Sequence, residues 1–138
     1  MKIDHVGVAV RSLDEAAAFY RTHLGLVETH REEVPGQKVR VAFLSDPADP
    51  EGTAVELLEP TSPDGAVAKF IAARGLGMHH LAFDAGHGAG AVAAAMERMR
   101  AGGAPPLENA PRPGARGHQV CFFHPTHCAG GLVELVGG

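Results

Sequence analysis

Cysteine is scarce in this 138-residue chain: Cys121 and Cys128 are the only two, and they form no CxxC. One pair in a chain of this size excludes a disulfide framework, so both read as reduced, packed thiols of a cytosolic protein. Long hydrophobic runs are missing as well; none approaches the roughly 18–20 residues that cross a membrane. Basic stripes are absent too, and with a net charge of −4 no nucleic-acid partner is expected. The opening MKIDHVGVAV reads as a strand rather than the basic region, apolar stretch and cleavage site of an export signal, so a cytoplasmic setting is expected. Apolar residues, by contrast, make up 45% of the chain, which suffices for one folded domain over residues 1–138. Histidine is plentiful at nine, more than surface positions alone would call for.

The chain repeats itself. Asp4-His5-Val6-Gly7-Val8-Ala9 lies over His79-His80-Leu81-Ala82-Phe83-Asp84, each with a histidine at the head of an alternating segment. Ala54-Val55-Glu56-Leu57-Leu58 lies over Leu132-Val133-Glu134-Leu135-Val136, one carboxylate inside an apolar strand each time. The offsets, 80 − 5 = 75 and 134 − 56 = 78, differ only by a small loop. Val41-Ala42-Phe43-Leu44 over Val120-Cys121-Phe122-Phe123 is a third match.

Local signals predict a strand, a helix and three strands in each half. Ser12 and Glu15 form a capping box, and the helix runs through Ala16, Phe19, Tyr20 and Leu24 to a left-handed stop at Gly25. Strands are expected over Val27–Glu33, Lys38–Leu44 and Thr53–Leu58. Ser62-Pro63-Asp64 opens a linking helix with proline at its first position, running to Arg74 and stopping at Gly75. The second half begins with a strand at Met78–Ala85 and a helix from about Ala89 to Ala101, whose start has no good cap. The expected fold class is α+β, two tandem βαβββ modules over approximately 1–60 and 76–138 with a link over 63–74.

His5 shares its strand face with Ile3, Gly7 and Ala9, small neighbours suited to a pocket wall, while Val6, Val8 and Val10 suit helix packing. A mid-strand carboxylate such as Glu56 or Glu134 must reach solvent, meet a partner or bind a cation, because burying it unpaired is costly. Singly, each of these residues reads as an ordinary exposed strand position. Together, His5, Glu56, His80 and Glu134 sit at equivalent places in two halves, where a pseudo-twofold axis brings them to one point. Two imidazoles and two carboxylates suit Co²⁺, Mn²⁺, Ni²⁺ or Zn²⁺, whereas Ca²⁺ wants more oxygens. An octahedral ion would keep two positions open for substrate.

At these residues the chain resembles the vicinal oxygen chelate superfamily, and within it the methylmalonyl-CoA epimerases. DHVGVAV, the capped LDEAAAFY helix and LGL are common to the superfamily; VELLEPTSPDGAVAKFIAARGLGMHHLAF and PRPGARGHQVCFFHPTHCAGGLVEL are more particular to the epimerases. The resemblance implies a curved mixed sheet around a metal cavity, with His5, Glu56, His80 and Glu134 as ligands and cobalt as the leading expectation. It implies an acyl-CoA thioester substrate whose C2 proton is removed and returned through an enolate, with Glu134 as one base and no organic cofactor. A homodimer is implied likewise. Some epimerases have Gln at the position of Glu56. Certain bacterial ones carry a glutamate, proposed as the second base, where this chain has Val41, which leaves the opposite-face acid open between Glu56 and a metal-bound water. Thr126-His127 stands where Lys-Asp is usual.

Other features carry weaker expectations. The amides of Pro113–Gly117 offer a nest for a carboxylate, flanked by Arg116 and His118. His79 is expected to be packed, His124 to lie in a loop, and His23, His30, His87 and His127 at the surface. Glyoxalase I is the rival enzyme, sharing fold and ligand set, but it approaches its last strand with a sequence like DPDGYKIEL where this chain has HPTHCAGGLVEL. A metal-free drug-binding module is the rival of another class; such proteins generally lose the ligands that this chain keeps.

Overall fold

The computed structural model describes all 138 residues. They fall into two compact units, residues 5–79 and residues 1–4 with 80–138. In chain order the elements are β1 (Ile3–Ala9), α1 (Leu13–Leu24), β2 (Val27–Val34), β3 (Val39–Ser45), β4 (Ala54–Pro60), α2 (Ala66–Arg74), β5 (Gly77–Asp84), α3 (Ala91–Ala101), β6 (Arg112–Pro113), β7 (Gln119–Phe123) and β8 (Val133–Gly137). This is the α+β class, with the strand–helix–three-strand order twice over.

In the first unit the strands run β2-β3-β4-β1. β1 and β4 are parallel, as a helical crossover requires, and β2–β3 and β3–β4 are antiparallel. The second unit repeats this as β5-β8-β7-β6, with β5 and β8 parallel and the other pairs antiparallel. Each sheet buries one face under its helix. Leu13 and Ala17 of α1 pack on Val10, Ala42, Leu44 and Leu57. Val92, Ala95 and Met96 of α3 pack on Cys121, Phe123 and Leu135, the repeat partners of Ala42, Leu44 and Leu57. A period of two then sends Val41, Phe43 and Glu56, and in the other unit Val120, Phe122 and Glu134, to the face the helix does not cover.

The helix ends follow from local chemistry. Ser12 Oγ accepts from the Glu15 amide at 3.2 Å, and Gly25 takes φ 69°, a left-handed conformation that a side chain disfavours. The linking helix differs from expectation: it starts at Ala66, capped by Gly65, and Pro63 lies in a turn before it. Ser62 Oγ donates to Asp64, Lys38 donates to the same carboxylate, and the Gly65 amide donates to Ser62 O at 3.4 Å, so residues 62–65 close on themselves. A Cβ on Gly65 would meet Lys38 Cβ at 2.9 Å, which fixes glycine at this cap. α3 begins two residues later than expected, at Ala91, without a side-chain cap.

Candidate metal centre

Glu56 sits mid-way along β4, opposite Gly7 of β1 on one side and Phe43 of β3 on the other. His5 precedes Gly7 by two and so shares its face. Its Nε2 lies 3.1 Å from Glu56 Oε1. The Phe43 ring meets the imidazole edge-on, with centroids 5.4 Å apart and planes at 87°. The second unit reproduces the motif. Glu134 of β8 stands between Ala82 of β5 and Phe122 of β7. His80 Nε2 lies 3.9 Å from Glu134 Oε1, and its ring meets Phe122 at 5.6 Å and 88°. Sequence reasoning missed Phe43 and Phe122 as imidazole supports, although the repeat of VAFL as VCFF aligned them.

Burial turns these pairs into a statement about chemistry. His5, Glu56, His80 and Glu134 are 2, 6, 6 and 4% exposed. Several kcal/mol is the order of the cost of desolvating one such ion, so a carboxylate kept here calls for compensating hydrogen bonds or positive charge. Where Nε2 is the unprotonated nitrogen, it meets the carboxylate oxygen lone pair to lone pair and a cation between them relieves the clash; the Nε2–H tautomer donates to the carboxylate instead. Donors about 2.0–2.2 Å from a common ion lie about 3 Å apart at a right angle and about 4 Å apart at wider angles. Both His–Glu spacings fall in that range. The donor set of imidazole nitrogen and carboxylate oxygen suits a borderline divalent metal, and His5, Glu56 and His80 have the type and burial of metal-holding residues.

Several other residues are accounted for. His79 packs on Phe70 of α2, rings 4.9 Å apart at 83°. His124 is a loop cap, its Nδ1 accepting from the Thr126 amide at 3.1 Å. His30, expected at the surface, is half-buried and hydrogen-bonded to Glu32. The nest over Pro113–Gly117 is partly spent on itself: Gly114 N donates to His118 O at 2.9 Å and His118 N to Ala115 O at 3.2 Å. Arg116, at φ 59°, reaches Asp4 at 2.6 Å instead. Glu108 ties its loop to β7, accepting from Phe122 N at 2.9 Å and from Cys121 Sγ at 3.4 Å. Burial first, then the Glu108 carboxylate, pushes the Cys121 thiol up to about 12, so it stays protonated.

Two mixed βαβββ units, each with a buried imidazole–carboxylate pair on its open face, belong to a recognisable class. The chain is a member of the Glyoxalase/Bleomycin resistance protein/Dioxygenase superfamily, whose model matches residues 4–122. Among curated proteins it is 34% identical to the ethylmalonyl-CoA/methylmalonyl-CoA epimerase of Cereibacter sphaeroides, over 97% of this chain and 96% of that one. Among solved structures, a methylmalonyl-CoA epimerase in complex with methylmalonyl-CoA and NH4+ is 39% identical with a TM-score of 0.88, covering 99% of this chain and 94% of that one. A substituted Streptomyces coelicolor methylmalonyl-CoA epimerase in complex with 2-nitronate-propionyl-CoA is 38% identical with a TM-score of 0.89, covering 100% and 94%. Within the superfamily, this chain therefore belongs with the methylmalonyl-CoA epimerases and not with glyoxalase I. No helix is long and apolar enough to cross a membrane.

Proposed function

We propose that this chain is a methylmalonyl-CoA epimerase, interconverting the 2R and 2S epimers by removing and returning the C2 proton. The observation that carries the reading is the buried His–Glu pair at the same place in each half, in a chain 38–39% identical to epimerases along nearly its whole length. In this reading residues 1–138 act as one domain, and His5, Glu56, His80 and Glu134 hold a single divalent ion, cobalt first among the candidates. Such an ion would supply positive charge near the thioester oxygen and so stabilise the negative charge left when C2 loses its proton. Glu134 is the base on one face of C2. Its carboxylate accepts the proton there and can hand it back. Phe43 and Phe122 keep the two imidazoles in place and lower the polarity around them, which strengthens each electrostatic contact. The working form is a cytoplasmic homodimer acting on an acyl-CoA thioester, with no nucleic acid or membrane as partner.

Incubation with methylmalonyl-CoA in D₂O, with and without Co²⁺, tests the proposal. Deuterium should enter C2 and the two epimers should equilibrate when the metal is present. Turnover of methylglyoxal with glutathione, without exchange at C2, would reverse the assignment in favour of glyoxalase chemistry.

A further inference from the structure

β2 carries another imidazole–carboxylate pair, His30 Nε2 hydrogen-bonded to Glu32 Oε2. In the β2–β3 register His30 is opposite Phe43 and Glu32 is opposite Val41. Phe43 is in turn opposite Glu56. His30, Phe43 and Glu56 therefore form one row across three strands. The Phe43 ring meets two imidazoles of its unit, His5 at 5.4 Å and His30 at 6.2 Å. The other face of β2 is spoken for by the helix: Arg31 donates to Asp14 of α1 at 2.8 Å. The pair thus shares the open face with His5 and Glu56. Unlike those two, it is in reach of solvent, with side chains 38 and 30% exposed.

Val41 shares the open face with Phe43, and a valine cannot move a proton. The next residue out in the same row is Glu32. Neighbouring strands are about 4.8 Å apart, a gap that a glutamate side chain can lean across. The internal repeat also breaks here: opposite Val120, the partner of Val41, the second unit has Arg112. The acid on β2 is thus a feature of one half alone, set where the duplicated half carries the opposite charge.

We infer that Glu32, paired with His30, is the second acid–base group, serving the face of C2 that Glu134 does not. The inference rests on the epimerase reading. In one direction Glu134 takes the C2 proton, and the C–H electron pair stays on the substrate. The O–H bond of protonated Glu32 then breaks as a new C2–H bond forms on the opposite face. No electrons are transferred. Solvent returns a proton to the His30–Glu32 pair, which its exposure allows, and receives one from Glu134; in the other direction the roles exchange.

The test is Glu32→Gln in the full chain loaded with Co²⁺, with each pure epimer of methylmalonyl-CoA followed separately in D₂O. Epimerisation should fall by roughly 10²–10⁴-fold. Deuterium should still enter the epimer whose hydrogen faces Glu134 and should cease to enter the other, with cobalt content and melting temperature unchanged. Val41→Glu added to Glu32→Gln should restore exchange in the silent epimer. Epimerisation within about threefold of the parent, equal loss of exchange from both epimers, or no recovery in the double variant overturns the role of Glu32. If the parent protein itself exchanges neither epimer, the epimerase reading falls, and this one with it.

Discussion

Replacing Glu134 with glutamine separates its two proposed tasks, holding the metal and moving the proton. The side chain is 4% exposed, wedged between Ala82 and Phe122, with an oxygen 3.9 Å from His80 Nε2. Glutamine has nearly the same volume, so packing should hold. Its amide oxygen is still a donor, so Glu134→Gln should bind cobalt and melt close to the parent. An amide cannot take the C2 proton. Loss of a positioned general base lowers the rate by about 10²–10⁴-fold, or about 3–5 kcal/mol at 1.36 kcal/mol per decade. Glu134→Ala removes the donor as well and leaves a hole, so it should lose cobalt and melt lower in addition to losing epimerisation. Rates come from deuterium entry and epimer interconversion, and metal occupancy from elemental analysis of the same samples. If Glu134→Gln with full cobalt occupancy interconverts the epimers within about threefold of the parent, Glu134 is not a base.

Other consequences are simpler to check. Val41→Ala should keep epimerisation within about tenfold while lowering the melting temperature by a few degrees, because it empties space at a position 1% exposed without removing an acid or base; a collapse like that of Glu134→Ala would assign Val41 a role in the chemistry. Asp64 is held near 2, against an ordinary 3.8, first by the hydrogen bond from Lys38 and then by the Ser62 hydroxyl. Its carboxylate is favoured by folding, so the stabilisation is complete above pH 3.8 and drains away as pH falls toward about 2. The effect should be small and salt-sensitive because the pair is exposed, and Asp64→Asn should remove it from acid-unfolding curves. Cys121 should resist iodoacetamide at pH 8 in the folded protein and react once denaturant is added; mass spectrometry of the labelled peptide reads this directly.

The two buried His–Glu pairs were legible because the repeat is written in the sequence twice. The matches of His5 with His80 and Glu56 with Glu134 need only the period of two and a common offset, and the structure pairs each histidine with the glutamate of its own half. α1 was legible from Ser12, Glu15 and Gly25, since capping is local. Where tertiary contacts override local signals the reading failed. Proline at position 63 suggested a helix start, but Lys38, far away in sequence, draws Asp64 into a closed turn. The anion nest was reasonable from its glycines, yet its amides bond one another and Arg116 turns to Asp4. β2 hid its inner face for a different reason. With polar residues at both His30–Glu32 and Arg31–Glu33, THREE shows no apolar alternation, and the side facing the site appears only in the register with β3.

One ion shared by both His–Glu pairs is the central proposal, and the number of Co²⁺ ions bound per chain tests it most directly. Equilibrium dialysis should find one ion in the parent protein and almost none in either His5→Ala or His80→Ala, although each substitution touches only one half. Two ions per chain, with each substitution removing one of them and leaving the other, would mean two separate sites and would contradict the shared centre.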